Sequence, residues 1–249
     1  METDTQLGTI GSSDRSAETR AKILDSALRE FSTLGFAGAR MDQIASTAGV
    51  NKALLYYHFD SKENLYAAAV EMISAKIRDR SMAVFLRKDA SPGERLLRSA
   101  LDHFDRILTQ GEFQNLMQQE MMRMHQGQPG AMGILVKRVF SPIQAMYESM
   151  VREGISSGEL INVDWLQLHL AALGANVFYF LVAPVWRMLL PFEPFAPEVL
   201  AERRRSVVEF LGQAVFTDRA HGAELAAKVL AGSPMPEMSA ERKVFWEKR

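Results

Sequence analysis

The chain has 249 residues, with 29 Lys and Arg against 30 Asp and Glu, for a net charge of −1. That balance excludes a general polycation, so any affinity for DNA has to come from a local patch. The absence of cysteine excludes disulfides, thiolate nucleophiles and Cys-ligated metals. A composition of 47% hydrophobic and 24% charged residues is that of a soluble globular protein with one large core or two modest ones.

Residues 1–16 are mostly polar and lack the apolar run of a secretion signal, so they read as a disordered arm. A helix comes next. Ile23, Leu24, Ala27, Leu28, Phe31 and Leu34 recur on one face of it, and Gly35 ends it. Met41 to Phe59 then reads as two short helices joined at Gly49. Ile44, Ala45 and Ala48 make the inner face of the first. Gly49 can take a positive φ, as a tight corner between helices requires. Val50 fills the corner. Asn51 is placed to cap the second helix by accepting from a free backbone N–H. Leu55 and Phe59, four residues apart, point back to the core. Lys52, Ala53, Leu54, Tyr56, Tyr57 and His58 are left facing outward. A major groove suits that set: phosphates for Lys, Tyr and His, thymine methyls for Ala, Leu and the rings. Ser61 caps a further helix beginning at Lys62, whose charge falls beside the outward face.

Taken with Ala27, Phe31, Gly35-Phe36, Ile44-Ala45, Ala48-Gly49-Val50, Leu55 to Phe59 and Lys62 to Leu65, the stretch from Ala17 to about Ile77 resembles the N-terminal DNA-binding domain of the TetR (tetracycline-repressor-like) family. The resemblance implies an all-α protein. A three-helix DNA-binding domain would occupy 17–77, with its helix-turn-helix at 40–59. A helical-bundle domain for ligand binding and dimerisation would occupy 78–217. It further implies a cytoplasmic homodimer on palindromic double-stranded operator DNA, with no cofactor. Two places depart from the family pattern. Ala39 and Arg40 stand where small hydroxyl residues are usual, so Arg40 would meet a phosphate by charge. Ala53 and Leu54 replace a glycine and a small residue, which favours apolar base contact at Leu54.

The remainder reads as helices throughout. Ser91-Pro92-Gly93-Glu94 has capping-box spacing with proline at the first helical position, and predicts a helix to about Thr109. Gln110-Gly111 breaks it. Phe113 to His125 is the next helix, closed by Gly127 and Pro129. Ile134 to Gly154 is longer, with a kink expected at Pro142. Asp164 starts a helix to about Leu190, interrupted at Pro184, and Pro197 opens another to Phe216. No stretch alternates long enough for a strand.

Leu170 to Trp186 carries no charge and one amide, Asn176. It is short for a membrane span and contains Gly174 and Pro184, so it reads as a helix buried on all sides, without membrane contact. By the resemblance, this helix and the next form a four-helix dimer interface with their mates. Phe178, Leu181, Val185, Trp186, Leu189, Val207, Phe210 and Leu211 would supply its seam. The Arg203–Arg205 run reads as a solvated rim.

The run Met117, Gln118, Met121, Met124 and His125 suits either plain core or a pocket for apolar ligands. Phe104, Ile107, Tyr147, Asn176 and Phe180 on neighbouring helices could face the same space. By family analogy it would hold a hydrophobic small-molecule effector. His103, His125, His169 and Glu120 are too scattered for a metal site. There is no phosphate loop, nucleophile elbow or zinc-protease pair, so no enzyme is indicated. The reading is a ligand-responsive dimeric repressor. A DNA-binding architectural or protein-interaction factor without small-molecule sensing is the alternative. The tail, 218–249, predicts one loosely packed helix over His221–Leu230, then a mobile end.

Overall fold

In a computed structural model, residues 7–128, 130–191 and 193–247 are described. Twelve α-helices account for almost all of them: α1 Leu7–Gly38, α2 Met41–Ala48, α3 Lys52–Phe59, α4 Lys62–Phe85, α5 Pro92–Thr109, α6 Glu112–His125, α7 Met132–Leu135, α8 Ser141–Ser156, α9 Trp165–Leu189, α10 Pro197–Ala214, α11 Arg219–Ala231 and α12 Ala240–Glu247. Among the described residues there is no strand, only one isolated bridge, Leu160 with Phe216. The start and stop signals act where expected. Asn51, Ser91, Asp164 and Asp218 each accept a hydrogen bond from a backbone N–H in the first turn of the helix they precede.

The chain divides into two compact units: up to Ile77 together with Glu112–Phe140, and Arg78–Gly111 together with Ser141–Arg249. The first division falls inside α4. Within this grouping Glu112–Phe140, with α6 and α7, packs with the first unit, and the rest of the stretch 78–217 with the second. Residues 1–6 of the expected disordered arm lie outside the described residues, and from Leu7 onward the arm is helical as the start of α1.

In the first unit, Ile23, Leu24, Ala27, Leu28, Phe31, Ile44, Leu55, Phe59 and Leu65 are buried. Leu34, expected on the same face, is 52% exposed. The reason is adjacent: Gly35 has φ 72° and ψ 173°, so the helix path breaks just beyond Leu34. Leu116 and Glu120 of α6 are buried. Phe31, Phe36 and Tyr66 form an edge-to-face cluster, and Arg123 of α6 lies 4.7 Å over the Phe36 ring.

The second unit has its core between α5, α8, α9, α10 and α11. The chain's later helices depart from expectation in four places. First, the bend expected at Pro142 is instead a π-helical turn, Val136–Phe140, ahead of α8. Second, α9 runs on through Pro184 to Leu189. Third, Arg204 is not at a solvated rim. It is buried and forms a two-pronged ion pair with Asp105 of α5 at 2.7 and 2.8 Å, and Arg203 lies 5.5 Å over the Tyr179 ring. Fourth, the tail is integral. Ala226 and Val229 of α11 are fully buried. A Cβ on Gly212 of α10 would lie 2.7 Å from the Gly222 carbonyl of α11, so the two helices touch through bare backbone. Beyond Ser233 the chain continues into α12. The Arg242 side chain donates to the Ile107 and Leu108 carbonyls, and the Trp246 indole N–H donates to that of Leu108. These are last-turn carbonyls of α5, left without intrahelical partners. The Trp246 ring stacks 4.6 Å from Phe195. Pro129, expected to close α6, lies outside the described residues.

Candidate nucleic-acid interface and effector site

The corner between α2 and α3 is built from local chemistry. Gly49 adopts φ 70° and ψ 29°, and its N–H joins the last carbonyls of α2. Asn51 Oδ1 accepts from Leu54 N at 2.8 Å. Leu55 and Phe59 are buried, which orients the opposite face of α3 outward. Lys52, Ala53, Tyr56 and Tyr57 are exposed, Tyr57 at 79%, while Leu54 and His58 are half-buried. The rings of Tyr57 and His58 meet edge to face at 5.5 Å. No acidic residue lies in the first turn of α3, so its positive dipole end is uncompensated there.

The surrounding cations are more constrained than their types suggest. Lys52 is paired with Asp42 of α2 at 2.8 Å, and that partner raises the lysine pKa and lowers the carboxylate's. Lys62 Nζ turns toward the Ala37 carbonyl at 3.4 Å and lies 5.0 Å from the centre of the Phe36 ring. Arg40 caps α2 in an extended conformation without a side-chain bond, and is exposed. Ser61 Oγ accepts from Asn64 N at 3.1 Å, the cap expected for α4.

The residues expected to line an effector pocket come from both units. Met117, Gln118, Met121, Met124 and His125 are on α6, in the first unit, whereas Phe104, Ile107, Tyr147, Asn176 and Phe180 belong to the second. Met121 and Met124 are exposed, because Leu116 and Glu120 take the inward face of α6. His125 is exposed, its Nδ1 bonded to the Met121 carbonyl at 2.7 Å. The residues of the second unit are deeply buried between α5, α8 and α9. Phe104 and Phe180 stand 5.1 Å apart.

Two of the histidines too scattered to form a metal site, His103 and His169, lie in this layer. Asn176 Nδ2 donates to the Ala100 carbonyl at 3.0 Å and faces His103 Nδ1 at 3.4 Å. The His169 ring packs edge-on to Tyr147 at 4.4 Å. Burial lowers the pKa of His103 to about 3, with help from Arg106 and His169, and burial also lowers that of His169. Among the described residues, no group of His, Asp and Glu is arranged to hold a metal.

The dimer-seam expectation divides by face. Phe178, Leu181, Val185 and Leu189 of α9 and Phe210 of α10 are exposed, Phe178 at 58% and Phe210 at 69%, and Trp186 is half-buried. Val207 and Leu211 are buried in the protomer's own core. So α9 is not buried all round within one chain. Its Leu168, Ala172, Asn176, Phe180 and Ala183 face inward, and a continuous apolar stripe faces out. By length and composition alone α9 is also apolar enough to cross a membrane, but its inward face is committed to the core.

Glu120 is the residue whose role escaped the sequence. It is buried and accepts from the Tyr66 hydroxyl at 2.5 Å and from the Ala131 N–H, with Arg123 at 3.5 Å. Its spacing from Leu116, i to i+4, is the signal that it shares the inward stripe.

Comparison with known proteins places both halves. The family model described as "Bacterial regulatory proteins, tetR family" matches residues 23–69, and that described as "Tetracyclin repressor-like, C-terminal domain" matches 92–211. The HTH-type transcriptional repressor NicS of Pseudomonas putida is 28% identical over 163 residues, 65% of this chain and 74% of that protein. The HTH-type transcriptional regulator RutR of Escherichia coli is 47% identical over 66 residues, 26% of this chain and 31% of that protein. A crystal structure of a gamma-butyrolactone receptor (ArpA-like protein) superposes with TM-score 0.58 at 21% identity, covering 88% of this chain and all of that one.

Proposed function

From the premise that this chain belongs to the TetR family and is a DNA-binding transcriptional regulator, we propose that it is a cytoplasmic homodimeric repressor released from its operator by a small molecule. The single observation that carries the reading is the outward face of α3. Tyr57 stands free of the core on a helix whose inner face, Leu55 and Phe59, is locked into it. In this reading Ala53, Leu54, Tyr56, Tyr57 and His58 meet base edges and phosphates in the major groove. Lys52 exchanges Asp42 for a phosphate. Arg40 and Lys62 neutralise the flanking backbone, and Asn51 holds the helix start.

Two α3 helices read two half-sites only if they are held about one turn of DNA apart, roughly 34 Å or somewhat more. The outward stripe of α9 with Phe210 supplies the surface for that pairing. The effector acts by population shift: it binds one conformation of the second unit better than the other, and only that difference moves the DNA equilibrium. Phe104, Ile107, Tyr147, Asn176 and Phe180 line the proposed effector layer.

The test is operator binding by Tyr57→Ala. We expect at least tenfold weaker binding with an unchanged melting temperature, because the ring makes no core contact. Lys52→Ala should flatten the dependence of log affinity on log salt by about one unit. Wild-type affinity in Tyr57→Ala would remove α3 as the reading helix.

A further inference from the structure

The layer between α5, α8 and α9 contains polar atoms that the protein itself does not satisfy. Among the described residues, the Tyr147 hydroxyl, Asn176 Oδ1 and His169 Nδ1 are buried and have no hydrogen-bond partner. Asn176 is fully buried. Its amide orientation is fixed by the other end, where Nδ2 reaches the Ala100 carbonyl. A flipped amide would set two carbonyl oxygens against each other, so Oδ1 is an acceptor held open by geometry. Each such group costs on the order of 1–3 kcal/mol when left unmet, and buried Tyr hydroxyls ordinarily find partners. Three such atoms occur in one layer, with the Tyr147 ring against Phe85 and His169, and Asn176 anchored on Ala100, and a complementary group would satisfy them.

Their spacing sets a length. Tyr147 sits against His169. Asn176 lies seven residues beyond His169 on α9, which at 1.5 Å per residue is about 10 Å along the helix. The charge state is set as well. Burial holds His103 and His169 neutral, and it raises the Tyr147 hydroxyl above its ordinary range. The arginines of the same helix layer are matched already, Arg106 by Asp102 at 3.0 Å and Arg204 by Asp105. An anionic ligand would meet neutral walls and lose its hydration without compensation.

Resting on the reading that this layer is the effector site, we propose the class of its ligand. It is a neutral, largely aromatic molecule about 10 Å long, with a hydrogen-bond acceptor at one end for the Tyr147 hydroxyl and a donor at the other for Asn176 Oδ1. This narrows the hydrophobic effector that the family analogy suggests. The two ends discriminate strongly, because an analogue that lacks either group leaves a buried polar atom unpaired.

The experiment uses three probes on one frame with the full-length protein: 4-acetyl-4′-hydroxybiphenyl, 4,4′-dimethylbiphenyl and biphenyl-4-carboxylate. Binding is read by thermal shift and titration, and operator release is followed in parallel. The hydroxy-ketone should bind at least tenfold tighter than the other two, and Tyr147→Phe should weaken it about tenfold, the worth of one buried hydrogen bond. Without any probe, Tyr147→Phe should melt no lower than wild type, since it deletes an unmet group. A lower melting temperature would mean that the hydroxyl is already satisfied, and would overturn the proposal. Equal binding of the dimethyl or carboxylate probe overturns the ligand class, as does failure of all three to bind. A probe that binds in this layer while the operator stays bound overturns the effector reading instead.

Discussion

Glu120 shows how much one carboxylate can organise. Tyr66 from α4, the Ala131 N–H and Arg123 all converge on it inside the DNA-binding unit. Removing it leaves a buried hydroxyl and a backbone amide short of an acceptor at once. Glu120→Ala should therefore cost about 3–5 kcal/mol in denaturant unfolding, and Glu120→Gln less, because one acceptor remains. His103 gives the second prediction at this scale. Its folded pKa of about 3 lies below the ordinary 6.5, chiefly through burial. The unfolded chain then binds the extra proton between those values, so stability is complete above pH 6.5 and falls as pH drops toward 3. Melting at about pH 5 against about pH 7 should show a loss of about 2 kcal/mol, at about 1.36 kcal/mol per pKa unit. A His103→Gln variant should lose that share of the slope; an unchanged slope would place the titration elsewhere.

At the scale of elements, the contact between α10 and α11 is the clearest case of backbone meeting backbone. Gly212 and Gly222 face each other's carbonyls with no room for a Cβ. Gly222→Ala should be destabilising by about 1–3 kcal/mol, since neither helix can retreat without opening the buried Ala226 and Val229 packing. Thermal unfolding checks it, and a neutral effect would mean that α11 is as loosely held as its sequence suggests. That contrast explains which elements were legible. The α2–α3 corner was readable because its signals are local: Gly49 for the positive φ, Asn51 for the cap, Leu55 and Phe59 for the inward face. The same holds for the Ser91 cap of α5, although the reciprocal half of the box is absent. The Glu94 carboxylate accepts from Arg98 and Lys228 instead, at 2.9 and 2.6 Å. The placement of α6 was not legible, because it presents two faces of core character, Leu116 on one and the methionines on the other. Only tertiary packing chooses between them. The tail was illegible for a related reason. Ser233 to Pro236 announces a break but gives no sign of the helix beyond it, and Trp246 gains its meaning only from the bare carbonyls at the end of α5.

At the scale of the whole molecule, the exposed stripe of α9 bears on assembly. A row of Leu170, Phe178, Leu181, Val185 and Leu189 in water is the kind of apolar surface that a second copy covers. Phe178→Asp should turn a dimer into monomers in sedimentation at micromolar concentration. It should also abolish tight operator binding although α3 is untouched. A wild-type protein that sediments as a monomer would end the argument. The buried half of the expected seam, Val207 and Leu211, should tolerate no charge for a different reason: it is the protomer's own core.

The chain enters the DNA-binding unit twice, first up to Ile77 and again over Glu112–Phe140. The border suggested by the end of the recognisable motif is thus not one at which the gene can be cut. A fragment that stops at residue 77 would keep every residue of the helix-turn-helix and lose the side chains that shield Phe36 and Tyr66. The same constraint falls on exchange between relatives. Swapping the segment up to Ile77 for that of another regulator would mismatch α6 with its new host, unless Glu120, Arg123 and Gln119, whose amide donates to the Ser32 carbonyl at 3.0 Å, were carried across with it.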